Sequence, residues 1–488
     1  MLKKKEYSLT SQAVYVFLGK FIQFLFQIIV PVILVRLFTT EQYGLYRQVI
    51  FMCLLIVPIL RFHFTNSLFY LYPNKNNHEE QSELISQTFF ILICVGIFFC
   101  LIVFIFHKSF ISLINTENFN KMVVPAVFLI TLYVFSSIVE NIFIIEKKSK
   151  LVISFLSIDT FIRTLFLLAF VFFYRTIYAA LIALVIHGVL KFIFLVIYLL
   201  HYYKLNIFKI HLGGVKEQLK YVIPMGLSTV IGTIGKNVDK IILIYLLTSQ
   251  DFALYSVGNL SIPFIAILYL SVGNVILPQI SRFSKKKENN KTIQLWKKMI
   301  IKNATFTIPT LIFFFVQANH VFIILFTEKY LASVGVFRIY ILVLLIQMLG
   351  YGYILRGYGK TKSVFYANLI KTLFSIVFGF LFIKYFGIIG AAVTYVIAFS
   401  INGIFQLFRT KCMLNISWLN LLPWMDILKL FLVSLPPIIL IILINQCNYS
   451  DIVLIIITGI VYFSIVFMAF VKLGYLNIRN IKDLAKLN

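Results

Sequence analysis

The sequence predicts an all-α polytopic membrane protein of about fourteen transmembrane helices, arranged as two pseudo-symmetric six-helix bundles followed by two C-terminal helices. Three observations carry this expectation: the hydropathy of the chain, the rhythm of its basic loops and an internal repeat. Of 488 residues, 61% are hydrophobic and 12% charged, with a mean hydropathy of +0.97. Soluble domains carry about 25% charged residues. A bilayer crossing needs about 20 mostly apolar residues. Runs of that kind occupy 12–35, 45–72, 84–106, 122–145, 151–174, 177–203, 219–247, 252–281, 292–318, 331–355, 363–386, 388–411, 427–446 and 450–473. Barrel strands would instead alternate in polarity over about ten residues.

The loops between these spans alternate between basic and nearly charge-free. Segments 1–12, 73–83, 146–150, 204–220, 282–302, 356–362, 409–429 and 472–488 hold 29 of the 44 Lys and Arg. The intervening turns hold Arg36, Arg47, Lys108, Lys121, Arg175, Lys329 and Lys384. Cytoplasmic loops retain positive charge, so both termini are expected in the cytoplasm. The net charge of +27 is then mostly topogenic and faces anionic headgroups; no basic nucleic-acid module is present. The first run is too long for a cleaved signal, contains Lys20, Gln23 and Gln27, and lacks a small-residue cleavage site.

The repeat has an offset of about 209 residues. ILVRLFTTEQYGLY at 33–46 returns as ILIYLLTSQDFALY at 242–255, and Ile162-Arg-Thr-Leu-Phe166 as Ile370-Lys-Thr-Leu-Phe374. An even number of crossings per repeat keeps both copies in one orientation, related by an axis along the membrane normal. The expected division is an N-terminal six-helix lobe at 1–203, a cytoplasmic linker at 204–218, a C-terminal lobe at 219–411, and helices 13 and 14 with a cytoplasmic tail at 412–488. Outer turns are short, the longest at 107–121, and leave no room for an external catalytic domain. Segment 282–302 reads as a basic, lipid-facing surface helix. The five cysteines lack metal-ligand spacing and are assigned to packing; Trp296, Trp418 and Trp424 fall at expected membrane edges.

Within the spans, the basic residues are Lys20, Arg61, Arg163, Lys191, Lys236, Lys240, Arg338 and Lys371, against the acids Glu140, Asp159 and Asp239. A mid-membrane charge costs about 2.5–3.5 kcal/mol on the insertion scale, so it belongs beside a wet cavity or a partner. Span 1 carries a polar stripe of Gln12, Lys20, Gln23 and Gln27. In span 2, Arg47, Arg61 and Thr65 share one side, with a kink expected at Pro58. Asp159 and Arg163 stand at i, i+4 and can pair. Span 7 stacks Thr229, Thr233, Lys236 and Lys240, with Gly232 and Gly235 allowing close approach of neighbours. Lys191, Lys240 and Arg338 can instead snorkel to the interface, and His63 and His187 read as packing or hydrogen-bonding residues. The basic surplus calls for an anion. No paired-carboxylate site, metal spacing, nucleophile elbow or phosphate loop is present.

PVILVRLFTTEQYGLYRQ at 31–48, NVDKIILIYLLTSQDFALYSVGN at 237–259 and RGYGKTKSVFYANLIKTLF at 356–374 resemble the polysaccharide biosynthesis family of bacterial O-antigen and capsule-repeat flippases, within the multidrug/oligosaccharidyl-lipid/polysaccharide exporter superfamily. The resemblance implies two six-helix lobes facing a central cationic cavity, alternating access, and a polyprenyl-diphosphate-linked oligosaccharide as cargo, moved to the outer leaflet of the bacterial cytoplasmic membrane. It also places the family's acidic-basic pair on Asp239 and Lys240, and its Tyr-Gly-x-Tyr turn on Tyr43, Gly44 and Tyr46. The second copy departs from that turn with Phe252, Ala253 and Tyr255.

Lys20, Arg61, Arg163, Lys236 and Lys371 are the expected diphosphate ligands, and Gln23, Gln27 and Asn237 the expected contacts of sugar hydroxyls. Glu140, Asp159 and Asp239 either couple transport to H+ or Na+ or neutralise the basic charges. No other cofactor is expected. The partners are the lipid-linked glycan, the bilayer and other polysaccharide assembly proteins. Two rival readings are a multidrug exporter, whose cationic cargo would favour acids over bases, or another lipid-linked-precursor exporter of the same superfamily, and a membrane glycan polymerase or glycosyltransferase, which would need a long outer loop.

Overall fold

The computed structural model describes residues 9–75, 77–106, 120–146, 148–203 and 212–476, and every regular element among them is helical. Nine helical stretches in this set are long and apolar enough to cross a membrane. Of the other expected spans, the first coincides with one continuous helix, Leu9–Leu37, and those at 219–247, 252–281 and 331–355 with interrupted helices, while two more are joined in the helix Thr361–Leu414. Packing divides the chain into two units: Met1–Asn237 with Ile244–Ala253, and Val238–Leu243 with Leu254–Asn488.

The first unit contains α1 (Leu9–Leu37), α2 (Thr40–Arg61), α3 (Phe64–Leu71), α4 (His78–Ile105), α5 (Asn120–Phe135), α6 (Val139–Ile145), α7 (Ser149–Tyr174), α8 (Ile177–Tyr203) and α9 (Leu212–Lys236). Its core gathers Leu68, Ile85, Leu92, Val134, Ile142, Leu156, Leu195 and Val222 from seven of these helices. In a bilayer such contacts stabilise through packing, because lipid tails are as apolar as leucine, and buried polar links add specificity. Gln218, fully buried on α9, is one such link. Its Nε2 donates to Ser67 Oγ at 2.9 Å and Thr88 Oγ1 at 2.8 Å, while its Oε1 accepts from Gln87 Nε2 at 2.7 Å. The start of α9 is thereby tied to α3 and α4.

α10 (Val238–Leu246) and α11 (Ser249–Gly258) contribute to both units. The second unit continues through α12 (Pro263–Lys285), α13 (Asn289–Val316), α14 (Ala318–Phe326), α15 (Ser333–Ile341), α16 (Val343–Gln347), α17 (Gly352–Gly357), α18 (Thr361–Leu414), α19 (Trp418–Leu421), α20 (Trp424–Ser434), α21 (Ile438–Asn445) and α22 (Asp451–Lys472). α18 covers two expected spans and doubles back at Gly387, whose φ of 57° suits glycine. The two halves lie side by side: Asn402 Nδ2 donates to Asn368 Oδ1 at 3.0 Å.

The repeated sequence folds the same way twice. Thr39 Oγ1 accepts from the Gln42 amide, and Gln42 Oε1 accepts from the Thr39 amide. In the second copy Thr248 and Asp251 exchange the equivalent bonds. Both are reciprocal N-terminal caps of the capping-box kind. Gly44 follows for a different reason: a Cβ there would lie 1.8 Å from the Ser249 carbonyl oxygen. The second copy has Ala253 at the equivalent position.

Several expectations are corrected. α2 continues through Pro58 as one helix, and its end lies at Phe62 and His63, with φ of 41° and 69°. An interior proline kinks a helix without having to end it, whereas two successive left-handed residues end it. Arg47 is not in a turn; the Thr39 cap starts α2 early enough to place it within the helix. Trp296 is fully buried and donates to Leu349 O at 2.8 Å, so it is a core residue and not an interfacial anchor. Trp418 and Trp424 are exposed. Gly232 has no neighbouring atom within 4 Å of a built Cβ, so it supports no close helix approach. Of the cysteines, Cys53 alone is buried, whereas Cys94, Cys412 and Cys447 are exposed.

The glycine geometry gives a direct test. Gly44→Val should lower the thermal transition of the detergent-purified protein, corresponding to a destabilisation of about 3 kcal/mol, whereas Gly232→Ala should leave it unchanged. Equal transitions for the two variants would contradict the Gly44–Ser249 packing.

Candidate functional site

The interruption after Arg61 gathers a cluster of polar side chains within the expected spans of the first unit. Phe62 and His63 reverse the backbone hand, and the ring of Phe62 packs where a side chain on Gly226 would stand, within 2.8 Å of a built Cβ. His63 Nδ1 lies 3.1 Å from Thr229 Oγ1 on α9. The Thr229 hydroxyl also reaches Met225 O at 2.9 Å, and Asn66 Nδ2 lies 3.5 Å from the same ring nitrogen of His63. From α6, Asn141 Nδ2 donates to Thr65 O at 2.7 Å and reaches Asn66 Oδ1 at 3.3 Å. α6 is itself set off from α5 by a 3₁₀ turn, Ser136–Ile138. Irregular backbone at membrane depth survives only where its polar groups are satisfied by protein or water.

Arg61 closes this locus. It is half-buried, its Nε has no hydrogen-bond partner, and the charge acting on it is that of Glu140, one residue before Asn141. The structure therefore brings together two expected site residues, Arg61 and Glu140. It adds His63, Asn66, Asn141 and Thr229. Of these, Thr229 and His63 carried a sequence signal, as a polar stripe and an intramembrane histidine, whereas Asn66 and Asn141 were missed.

Asp159 is differently placed than expected. Its oxygens meet His187 Nε2 at 3.1 Å and Lys191 Nζ at 3.0 Å, both from α8, and not Arg163 one turn along its own helix. His187 and Lys191 are themselves four residues apart and share a face, the signal that would have revealed them. A cavity of about 310 Å3 borders the triad, walled by Phe143, Phe155, Ile158, Ile162 and Phe194. Arg163 instead hydrogen-bonds Tyr133 on α5.

In the second unit Asp239 is buried and accepts from Tyr255 Oη at 2.5 Å. Its charge also reaches Tyr340 and Tyr395, which stack at 4.7 Å. Lys371 stands over this aromatic group, 5.6 Å from the Tyr395 ring and 4.1 Å from that of Phe399, within cation–π range. Asp239 and Lys371 thus share one neighbourhood. Lys236 is exposed at the end of α9, and Asn237 breaks the helix there, its Nδ2 donating to Thr233 O at 2.8 Å. Gln23 is half-buried and Gln27 exposed on α1. The side chain of Lys20, and residues 107–119 of the longest outer turn, lie outside the described residues.

A second cavity, of about 860 Å3, opens where α2, α5 and α8 begin, among Thr39, Gln42, Lys121, Thr176 and Tyr178. Among the described residues, no group of three or more His, Cys, Asp or Glu is arranged to hold a metal ion.

Residues 33–335 match the family model described as polysaccharide biosynthesis protein. An uncharacterised membrane protein of Methanocaldococcus jannaschii, MJ1068, is 26% identical over 279 residues, which are 55% of this chain and 54% of that protein. The chain thus spans about half the length of that relative. Among solved structures, the lipid II flippase MurJ in an inward closed conformation superposes with a TM-score of 0.71 at 18% identity, covering 94% of this chain and 99% of that one. An inward-facing multidrug resistance transporter of the MATE family follows with a TM-score of 0.60 at 12% identity, covering 80% and 94%. The fold is therefore that of the MurJ and MATE transporters.

The Asp159 triad yields a stability test. Asp159→Asn should cost about 3 kcal/mol by leaving Lys191 without its counter-charge, and adding Lys191→Met should restore part of the loss. Strictly additive effects in a double-mutant cycle read by thermal unfolding would contradict the pairing.

Proposed function

The chain belongs to the polysaccharide biosynthesis protein family, and from that premise we propose that it is a flippase for a polyprenyl-diphosphate-linked oligosaccharide. It moves this cargo from the inner to the outer leaflet of the cytoplasmic membrane by alternating access, for surface polysaccharide assembly alongside other assembly proteins. The observation that carries the reading is Arg61 at an interrupted membrane helix, with an unpartnered Nε and a cluster of amide and hydroxyl groups beside it. Broken helices at membrane depth are where transporters place their binding sites. A guanidinium offers paired, charge-assisted hydrogen bonds to phosphate oxygens, and Asn66, Asn141 and Thr229 suit sugar hydroxyls. The cavity at the starts of α2, α5 and α8 offers further polar groups for a glycan on the outer side.

The acids divide by their partners. Both Asp159 oxygens are held by His187 and Lys191, so this carboxylate neutralises built-in cations. That arrangement argues against a cationic drug as cargo. Glu140 balances Arg61. Asp239, with one hydroxyl donor, is the acid we assign to coupling with H+ or Na+.

The test is transport of a labelled polyprenyl-diphosphate sugar in proteoliposomes. Arg61→Ala should reduce the rate by about a hundredfold, in line with the loss of a charged hydrogen-bonded contact, and Arg61→Lys should recover part of it. Asp239→Asn should abolish the response to an imposed gradient. Native rates in Arg61→Ala would remove this residue from the site.

A further inference from the structure

The cavity beside Asp159 takes no part in the proposed transport. It lies between α7 and α8 and holds about 310 Å3. At about 30 Å3 for a water-sized group, that is room for about ten such groups. Phe155, Ile158 and Ile162 line it from α7, and Leu190 and Phe194 from α8. Ile158, Leu190 and Phe194 are exposed, as is Leu151 at the cavity's end, so the cavity opens through an apolar rim. Such a rim on membrane-spanning helices is a surface for hydrocarbon. Leu151 and Ile162 stand eleven residues apart, a length of about 16 Å along the helix. The space has the proportions of a chain.

Asp159, His187 and Lys191 give this apolar space a polar end. His187 is 3% exposed, and its Nε2 carries the proton it shares with Asp159, because the carboxylate beside Lys191 only accepts. Its Nδ1 is then an acceptor, and it is buried with no hydrogen-bond partner among the described residues. Lys191 gives Asp159 Oδ2 one bond at 3.0 Å, and an ammonium group has three donors. The site thus has an acceptor to fill and donors to spare. Its carboxylate and ammonium cancel, so a ligand with a charge of its own would meet no counter-charge. Depth points the same way. Asp159 stands ten residues into α7, about 15 Å along a helix that crosses a hydrocarbon core about 30 Å thick. An ionised head costs far more to draw to that depth than a hydroxyl does.

We propose that this cavity binds a neutral long-chain alcohol, with its hydroxyl at His187 and Lys191 and its chain along Ile158 and Phe194. One O–H group makes both complementary bonds, giving its proton to Nδ1 and accepting from the ammonium. An amine would compete with Lys191 for Asp159, and a carboxylate or phosphate would be repelled by it. A chain longer than the cavity continues through the apolar rim into the bilayer. Isoprenoid and straight-chain alcohols share this chemistry. The site involves neither Arg61 nor the transported diphosphate, so its failure would leave the flippase reading intact.

The experiment uses the full-length protein in nanodiscs and a dodecanol that carries a diazirine on its chain, with the labelled peptides identified by mass spectrometry after irradiation. Label should concentrate on residues 151–162 and 190–194. An excess of decanol or farnesol should suppress it, the stronger competitor identifying the chain as straight or isoprenoid, whereas decanoic acid and decylamine should leave it in place. Ile158→Trp places an indole at an exposed position on the rim, where it fills the cavity without disturbing the core, and should lose most of the label. His187→Leu should weaken competition by decanol about fivefold, the effect of one hydrogen bond. The Ile158→Trp result keeps the test valid if His187→Leu is unstable. Label spread evenly over the apolar helices, or native labelling in Ile158→Trp, would overturn the site. Competition by decanoic acid or decylamine equal to that by decanol, or native competition in His187→Leu, would overturn the hydroxyl-headed ligand.

Discussion

The structure depends on a rule imposed by hydrocarbon: a backbone amide or carbonyl at membrane depth needs a partner, because no solvent supplies one. Unbroken helices meet that rule by themselves. The stretch after Arg61 does not, since Phe62 and His63 leave the helical conformation. Its backbone is held partly from within, Phe62 N donating to Ile59 O and His63 O accepting from Asn66 N and Ser67 N, and partly by Asn141 of α6 on the Thr65 carbonyl, while Thr229 of α9 meets the His63 ring. The same side chains that make the break tolerable gather next to Arg61, whose charge acts on His63. Polar satisfaction and the proposed anion site are therefore one arrangement, and the Gln218 network ties the start of α9, the helix that carries Thr229, to α3 and α4.

Charge balance inside the membrane follows a similar division. Where a cation has a structural task it is matched within the protein, as Lys191 is by Asp159 or Lys371 by aromatic faces. Arg61 and Arg47 each keep a buried Nε without a partner. A guanidinium cannot shed its proton to lower the cost, so an unfilled donor on it is a standing preference for an anion. The basic surplus thus divides into cations held by named partners and two arginines, Arg61 beside Glu140 and Arg47, that each keep an unfilled Nε.

Much of this was legible in the sequence. The apolar runs and the alternating basic loops reported helices, and the return of ILVRLFTTEQYGLY as ILIYLLTSQDFALY reported a repeated segment, which folds with the same capping bonds in both copies. Arg61 was identifiable from its depth in an apolar run, and Glu140 as an acid in the same class. The missing parts were those decided by tertiary contact. Phe62 and His63 carry neither glycine nor proline, so nothing local announced a left-handed pair. Asp159 had a plausible partner one turn away in Arg163, but α8 presented two donors, and a helix neighbour in space outcompeted a neighbour in sequence. Trp296 looked interfacial because of its place in the chain, yet its ring fills the core of the second unit. Arg47 was counted with the turns although the apolar run at 45–72 includes it, because the cap at Thr39, which starts the helix well before it, was not read from the sequence.

The central claim is that the interrupted helix after Arg61 forms an anion site for a lipid-linked diphosphate. The most direct measurement is an experimental structure of the protein in nanodiscs with a polyprenyl diphosphate bound. The account predicts phosphate oxygens within hydrogen-bond distance of the Arg61 guanidinium, with Asn66 or Asn141 adjacent. A headgroup held elsewhere, with Arg61 engaged by Glu140 alone, would contradict it.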